Sequence, residues 1–319
     1  MAGTTLLPAV NAKMKKLKKE FNQVRTLTQS VPWCAKLWWD KEEGLITFDD
    51  WMRVDAMYRS RALEFPGMGD VMVPCIDMAN HAADDATSAL YEVNNRGEAL
   101  LLLRDGYNVS RGDEVTITYG DKKGACEMIF SYGFLDDSRK TAKELFLDLH
   151  ALEDDPLGQA KAHVSSAAPG VRIFDQGEGA GWDSDFVWLL CVNAEDGLSF
   201  RVLQTVDGEG ELKAAWKDED LEDTSKLREL LEADSMWDVF QLRAVSLIRA
   251  RVENQIRRLD QGQDLQTTSV RERPLILAMG LRALELELLN KAYATLESEV
   301  MTLAETDTVK EYLSNFVHE

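Results

Sequence analysis

A chain of 319 residues can form two domains or one large one around a substantial core, and its 45% hydrophobic content is ordinary for a globular protein. Its 36 Lys and Arg face 56 Asp and Glu, and the net charge of −20 argues against nucleic acid as a direct partner while leaving a basic protein segment open. Four scattered cysteines, Cys34, Cys75, Cys126 and Cys191, show no paired spacing, which points to a reducing compartment and to no metal site. No run is long and apolar enough to span a membrane, and Met1 to Val10 lacks the charged start of a signal peptide. The expected location is cytoplasmic or nuclear.

In chain order, residues 9 to 63 read as helical. Met14, Leu17, Phe21 and Val24 share one stripe, with the lysines of Lys13–Lys19 on the other faces as a solvated surface. The tryptophans of Pro32-Trp33 and Trp38-Trp39 belong largely to the core on this reading. Thr47-Phe-Asp-Asp50 caps a helix that runs through Val54, Met57 and Tyr58 to Ser60-Arg61. Three short aliphatic or β-branched runs follow, Ala89–Val93, Ala99–Leu103 and Val115–Thr118, each bounded by turn residues. Asn94-Asn-Arg-Gly97 fits a hairpin turn, and Ser110-Arg-Gly-Asp113 fits another.

Beyond Phe134 strand signals thin out. Leu145–Leu149 suits one strand or a short helix, and Asp154-Asp-Pro156 a turn. Gln176–Gly181 is superficially like a phosphate loop, but it lacks the Lys-Ser/Thr and is followed by Asp183 and Asp185, so it reads as a plain loop. From Leu227 the pattern is helical. Ser235-x-x-Asp238 and Ser269-x-x-Glu272 look like capped starts, the second with Pro274 in its first turn. Leu242, Val245, Ile248, Val252, Ile256 and Leu259 form one stripe, and Leu281, Leu284, Leu288, Ala292, Leu296 and Leu303 another, as in a helical bundle.

The chemistry lies between Met72 and Asp136. One end carries Val73-Pro-Cys-Ile-Asp77-Met-Ala-Asn80-His81; the other carries Thr116-Ile-Thr-Tyr119-Gly and, thirteen residues on, Tyr132-Gly-Phe134. Taken singly, Tyr91, Tyr132 and Phe134 read as packing residues and His81 as a hydrogen-bonded structural histidine. Jointly, an Asp-x-x-Asn-His segment followed by Tyr-Gly and Tyr-Gly-Phe resembles the C-terminal half of a SET domain of the Rubisco lysine methyltransferase-like class. Ser60-Arg61-Ala62 matches the Ser-Arg-Ala/Phe signature of that class. No Gly-x-Ser-x-Gly elbow and no His-rich cluster point to a different reaction.

The resemblance implies an α+β fold: 1–63 as the helical insert of the SET region, 64–140 as its C-terminal half, and 141–319 as a mostly helical domain that docks a protein substrate. It implies S-adenosylmethionine as cofactor and transfer of its methyl group to a protein lysine. Methyl transfer to an amine is an in-line displacement, which needs a neutral amine about 3 Å from the methyl and a site closed to water. An aromatic channel favours the neutral amine by penalising charge. Carried over, the resemblance makes Tyr119 the catalytic tyrosine and gives Asn80, His81, Ser60 and Tyr119 the cofactor. Arg61, Asp77, Tyr91, Ile117, Tyr132 and Phe134 would form the lysine channel.

Two departures stand out. Ala125 occupies a position where family members often carry Asn. The strand-rich front half with its Gly-x-Gly segment has no counterpart here, so the strands around Tyr91 and Val115 are expected to show exposed edges. The alternative expectation is a non-catalytic interaction module derived from such an enzyme.

Overall fold

The computed structural model describes residues 2–42, 45–65, 67–83, 86–120, 123–136, 139–204, 210–261 and 271–316. They divide into two compact units, Leu6–Arg139 and Met1–Thr5 with Lys140–Glu319.

The first unit opens with helix α1 (Leu6–Thr28), which buries Leu6, Leu17 and Phe21 and leaves Lys15, Lys16, Lys18 and Lys19 in solvent. The apolar stripe is narrower than its sequence pattern, since Met14 is exposed. A short helix α2 (Pro32–Cys34) runs into a π-helical turn, Ala35–Trp39. Trp39, Phe48 and Trp51 gather around Phe21 with ring centroids 5.8, 5.8 and 6.2 Å away. Trp33 is not in the core: it is 56% exposed and meets Trp38 edge-on.

Helix α3 (Phe48–Arg61) starts at the predicted cap. Asp50 N donates to Thr47 Oγ1 at 3.2 Å and Thr47 N to Asp50 Oδ2 at 3.0 Å, a reciprocal capping box. These bonds hold the Asp50 carboxyl below its usual range. Asp55 joins α3 to α1 through Lys13, 2.7 Å away, and also pairs with Arg59 at 2.8 Å. Burial works against the Asp55 carboxylate, but those two hydrogen bonds outweigh it and its pKa is lowered.

Short strands follow: β1 (Leu63–Phe65), β2 (Gly69–Val71), β3 (Asn80–His81), β4 (Ala89–Val93), β5 (Ala99–Leu103) and β6 (Thr116–Ile117), then helix α4 (Ala125–Tyr132). β1 pairs with β2, and β4 with β5, antiparallel; β3 and β6 pair in parallel. The β4–β5 turn is the predicted one, with Asn94 Oδ1 accepting from Arg96 N and Glu98 N and Gly97 at φ 77°. The expected strand at 115–118 contracts to two residues. Leu63, Phe65, Ile76, Ala89 and Ile117 make the core, while Leu90, Leu101, Leu102 and Leu103 stay exposed. Among the described residues each sheet of this unit has two strands, so the edges are open.

About half of the described residues of the second unit are helical, and it carries two three-stranded antiparallel sheets. One comprises β7 (Glu144–Asp148), β8 (Gly170–Asp175) and β9 (Ala180–Asp183); the other comprises β10 (Leu198–Gln204), β11 (Gly210–Trp216) and β12 (Glu219–Asp220). Gln176–Gly179 is the β8–β9 turn, closed by Gln176 N donating to Gly179 O. The helices are α5 (Gly158–Val164), α6 (Phe186–Leu190), α7 (Leu227–Glu232), α8 (Trp237–Gln261), α9 (Glu272–Ala304) and α10 (Asp307–Phe316). At the start of α8 the carboxylate of Asp234, not Ser235, takes the free amide of Met236 at 3.0 Å. Ser269, the expected cap of α9, lies outside the described residues.

The stripes of α8 and α9 face each other through Val245, Ile248, Val252 and Leu259 on one side and Leu281, Leu288, Ala292 and Leu296 on the other, all buried. Two polar residues interrupt them. Gln255 donates to Gly3 O at 2.7 Å, and Glu285 accepts from Thr5 N at 3.1 and 3.2 Å as well as from the Thr5 hydroxyl. Arg282 donates to Ala2 O at 2.8 Å, so residues 2–5 are fastened onto this helix pair. At Gly3, with φ 79°, a Cβ would stand 2.5 Å from Arg258 O, which is why glycine is needed there.

Candidate active site

The two motif ends meet because β3 and β6 are hydrogen-bonded neighbours. Asn80 pairs with Thr116 and His81 with Ile117, and Ala82 N donates to Ile117 O at 3.1 Å. The chain then leaves β6 so that Tyr119 N donates to His81 Nδ1 at 3.1 Å, and the Tyr119 hydroxyl donates to Ala79 O at 2.9 Å. Tyr119 is thereby fixed at both its backbone and its phenolic end. Burial, with Tyr132 adding to it, raises its pKa, so the phenol stays neutral at physiological pH.

Helix α4 brings in the remaining aromatics. Gly133 ends it in the left-handed conformation at φ 75°, its N–H donating to Met128 O and Ile129 O. That reversal turns Phe134 back toward the motif. Tyr119 and Tyr132 have centroids 4.5 Å apart; Phe134 lies 5.8 Å from His81 and 6.3 Å from each tyrosine; His81 and Tyr119 are 5.2 Å apart. Tyr91 on β4 packs on Phe65 at 5.0 Å, and its pKa is raised by burial and then by Tyr132. Tyr119, Tyr132, Phe134 and His81 thus form one half-buried aromatic cage, with Tyr91 near enough for its hydroxyl to feel Tyr132.

The other expected site residues fall in different places. Arg61, at the end of α3, donates to Asp77 O at 3.3 Å and to Met78 Sδ at 2.8 Å, and its charge reaches Tyr119. Arg61 and Asp77 therefore sit together through the Asp77 backbone, with no bond between their charged groups. Asn80 is exposed and its amide donates to Glu114 Oε1 at 2.5 Å. Ser60 Oγ donates back to Met57 O within α3. Ile117 is fully buried among Leu63, Phe65, Ile76 and Ala89, so it supports the cage from the core instead of lining an accessible wall.

Three residues of this neighbourhood carry no sequence signal of their own. Phe65 backs Tyr91, Glu114 holds Asn80, and Lys123 sets its ammonium 5.4 Å from the Tyr132 ring centroid. Lys123 could be traced only through Gly120. That glycine takes φ 121°, and a Cβ on it would stand 2.8 Å from the Lys123 Cε. Among the described residues no cluster of His, Cys, Asp and Glu could hold a metal ion.

Asn80, His81 and Tyr119 are the residues that could hold an aminoacyl nucleoside bearing a sulfonium. Asn80 is exposed, although its amide nitrogen already donates to Glu114, and tyrosine faces attract a cation, while the Ala79 carbonyl is taken by the Tyr119 hydroxyl.

No family model matches the chain. SET domain-containing protein 8 of Schizosaccharomyces pombe is 30% identical to it over 220 residues, 66% of this chain and 48% of that protein. The chain therefore spans about half the length of that curated relative. Among solved structures, the SET domain of LSMT bound to methyl-lysine and AdoHcy superposes with a TM-score of 0.60 at 18% identity, covering 95% of this chain and 66% of that one. Rubisco LSMT bound to AdoMet gives 0.59 at 18% identity over 96% and 66%. At that identity the likeness establishes the fold.

Proposed function

We infer, for a chain built on the SET-domain fold of the Rubisco LSMT type, that it is an S-adenosylmethionine-dependent protein-lysine N-methyltransferase. The observation that carries the reading is the convergence of Tyr119, Tyr132, Phe134 and His81 into one cage around the β3–β6 pairing. S-adenosylmethionine supplies an electrophilic methyl on a sulfonium when bound, and Asn80, His81 and Tyr119 are the residues to hold it.

Tyr119 orients the reacting groups through a neutral hydroxyl already aligned on Ala79 O, acting as a fixed dipole instead of a strong base. Tyr91, Tyr132 and Phe134 keep water off the amine, and it is this loss of hydration, not the ring faces, that penalises its protonated form, which has no free electron pair to give. The Tyr132 hydroxyl, donating to Tyr119 O at 3.4 Å, ties the two tyrosines to one backbone position. The second unit is read as the docking domain for the substrate protein. Its cavity of about 600 Å³, between the His150–Leu157 loop and the Arg243–Ala250 face of α8, offers a place for a partner segment.

The exposed leucines of β4 and β5 favour a second reading, a non-catalytic interaction module of the same descent. Calorimetry with S-adenosylmethionine separates the two. The enzyme reading expects micromolar binding that Asn80→Ala removes; a folded chain that takes up none is the module. For the enzyme, Tyr119→Phe is expected to cut turnover of a lysine substrate at least a hundredfold with S-adenosylmethionine binding kept.

A further inference from the structure

Lys123 sits in the cage without belonging to its motif. Its backbone N donates to Gly120 O at 3.2 Å and its carbonyl accepts from Arg139 at 2.7 Å, so the residue is anchored on both sides. Its methylenes lie over Gly120, next to Tyr119, and its ammonium stands 5.4 Å from the Tyr132 centroid while donating to Glu127 at 2.8 Å. Tyr91 also senses its charge. Self-methylation is the obvious thought, but the electrostatics oppose it. Burial pulls the Lys123 pKa down, yet the Glu127 bond and Tyr132 outweigh burial and raise it, so the amine is held protonated.

We propose that Lys123 is a resident cation of the tyrosine cage, a specificity-determining residue that makes the site reject a protonated lysine and accept the neutral amine. The proposal rests on the methyltransferase reading above. It supplies that reading with a second device, since aromatic walls alone also attract cations. A fixed positive charge beside the site lowers the pKa of an incoming amine as it would that of any neighbouring cation. Among the described residues, the other charges felt at the cage tyrosines are Arg61, which adds to the effect at Tyr119, and Glu64 and Glu114, which oppose it at Tyr91 and Tyr119. Glu127 is the more solvated partner of Lys123, with a side chain 44% exposed against 30%, so it offsets the ammonium only in part. An amine held against the Tyr132 ring, whose centroid is 5.4 Å from the ammonium, meets a like charge at the range where such charges shift an amine by about one pKa unit, roughly tenfold in affinity.

The test is equilibrium binding to the full chain of two probes, Nε-trimethyl-lysine amide and its neutral carbon isostere, with S-adenosylhomocysteine present. Wild type is expected to favour the isostere. Lys123→Met shifts the preference toward the cation about tenfold, and Lys123→Arg restores the wild-type ratio, with near-UV circular dichroism unchanged throughout. A ratio that is the same in wild type and Lys123→Met overturns the proposal while leaving a lysine site in place. Failure of both probes in every variant, with no S-adenosylhomocysteine binding, overturns the methyltransferase reading and this inference with it.

Discussion

Glu285 offers the most quantitative check on the architecture. Its carboxyl is fully buried in the α8–α9 seam, and burial pushes its pKa from 4.5 up to about 7 despite the hydrogen bonds from Thr5. Between those two values the folded protein binds a proton that the unfolded chain releases, so stability falls as pH rises through the window and the loss is complete above the folded pKa. At about 1.4 kcal/mol per unit, the charged carboxylate costs about 3 kcal/mol at pH 8 relative to pH 4. Glu285→Gln keeps the shape, an acceptor for Thr5 N and a donor for the Thr5 hydroxyl, but cannot ionise. Urea unfolding followed by tryptophan fluorescence should find the variant equal to wild type within about 1 kcal/mol at pH 4.5, and about 2–3 kcal/mol more stable at pH 8. Forming the variant-minus-wild-type difference at each pH cancels the other titrating groups. A difference that does not grow with pH, or a variant weaker than wild type at pH 8, would refute the buried-carboxylate argument.

Other perturbations probe separate links. Asp155→Asn removes the counter-charge of the Lys161 ammonium, which is fully buried and 2.7 Å from Asp155, with Asn193 at 3.5 Å as its other hydrogen-bond partner among the described residues; it should lower stability by about 3 kcal/mol in the same unfolding assay. Gly133→Ala meets nothing within 4 Å, so its cost is purely the left-handed backbone, about 1 kcal/mol, and a larger loss would mean that Phe134 has moved. Thr47→Ala removes the capping box of α3 and should lower stability by about 1 kcal/mol, read as a shift in thermal midpoint.

Local signals in the sequence were faithful where structure is local. The capping box at Thr47–Asp50, the hairpin at Asn94–Gly97 and both of its strands stand where their residues place them, because each depends on bonds spanning a few positions. Pairings between distant segments were harder to see. β3 is two residues hidden inside a motif, and it becomes a strand only because Thr116–Ile117 arrives 36 positions later. The strands from Gly170 to Asp220 do alternate, as Leu198, Phe200 and Val202 of β10 show, but each is short and set among glycine-rich and acidic turns that dilute the strand signal. On α9 the apolar stripe runs Leu281, Glu285, Leu288, and pattern reading chose Leu284 since it assigns carboxylates to solvent. The cage residues were legible jointly through the motif spacing; Lys123 and Glu114 were not, since charged loop residues have no periodicity to betray them.

The fastening of residues 2–5 has a bearing on how the chain is made. Thr5 and Glu285 are 280 positions apart, yet both belong to the seam of α8 and α9. During synthesis residues 2–5 leave the ribosome on the order of tens of seconds before Glu285 is made, at about 5–20 residues per second. The Leu6–Arg139 unit has by then been translated in full and can settle on its own contacts, while residues 2–5 wait for α8 and α9. Closing so long a loop adds little equilibrium cost, because the entropy grows only with the logarithm of length, but it places these hydrogen bonds among the last to form. A side chain added at Gly3 would therefore be felt chiefly in the final, slow approach to the native state, and least in the assembly of the aromatic cage.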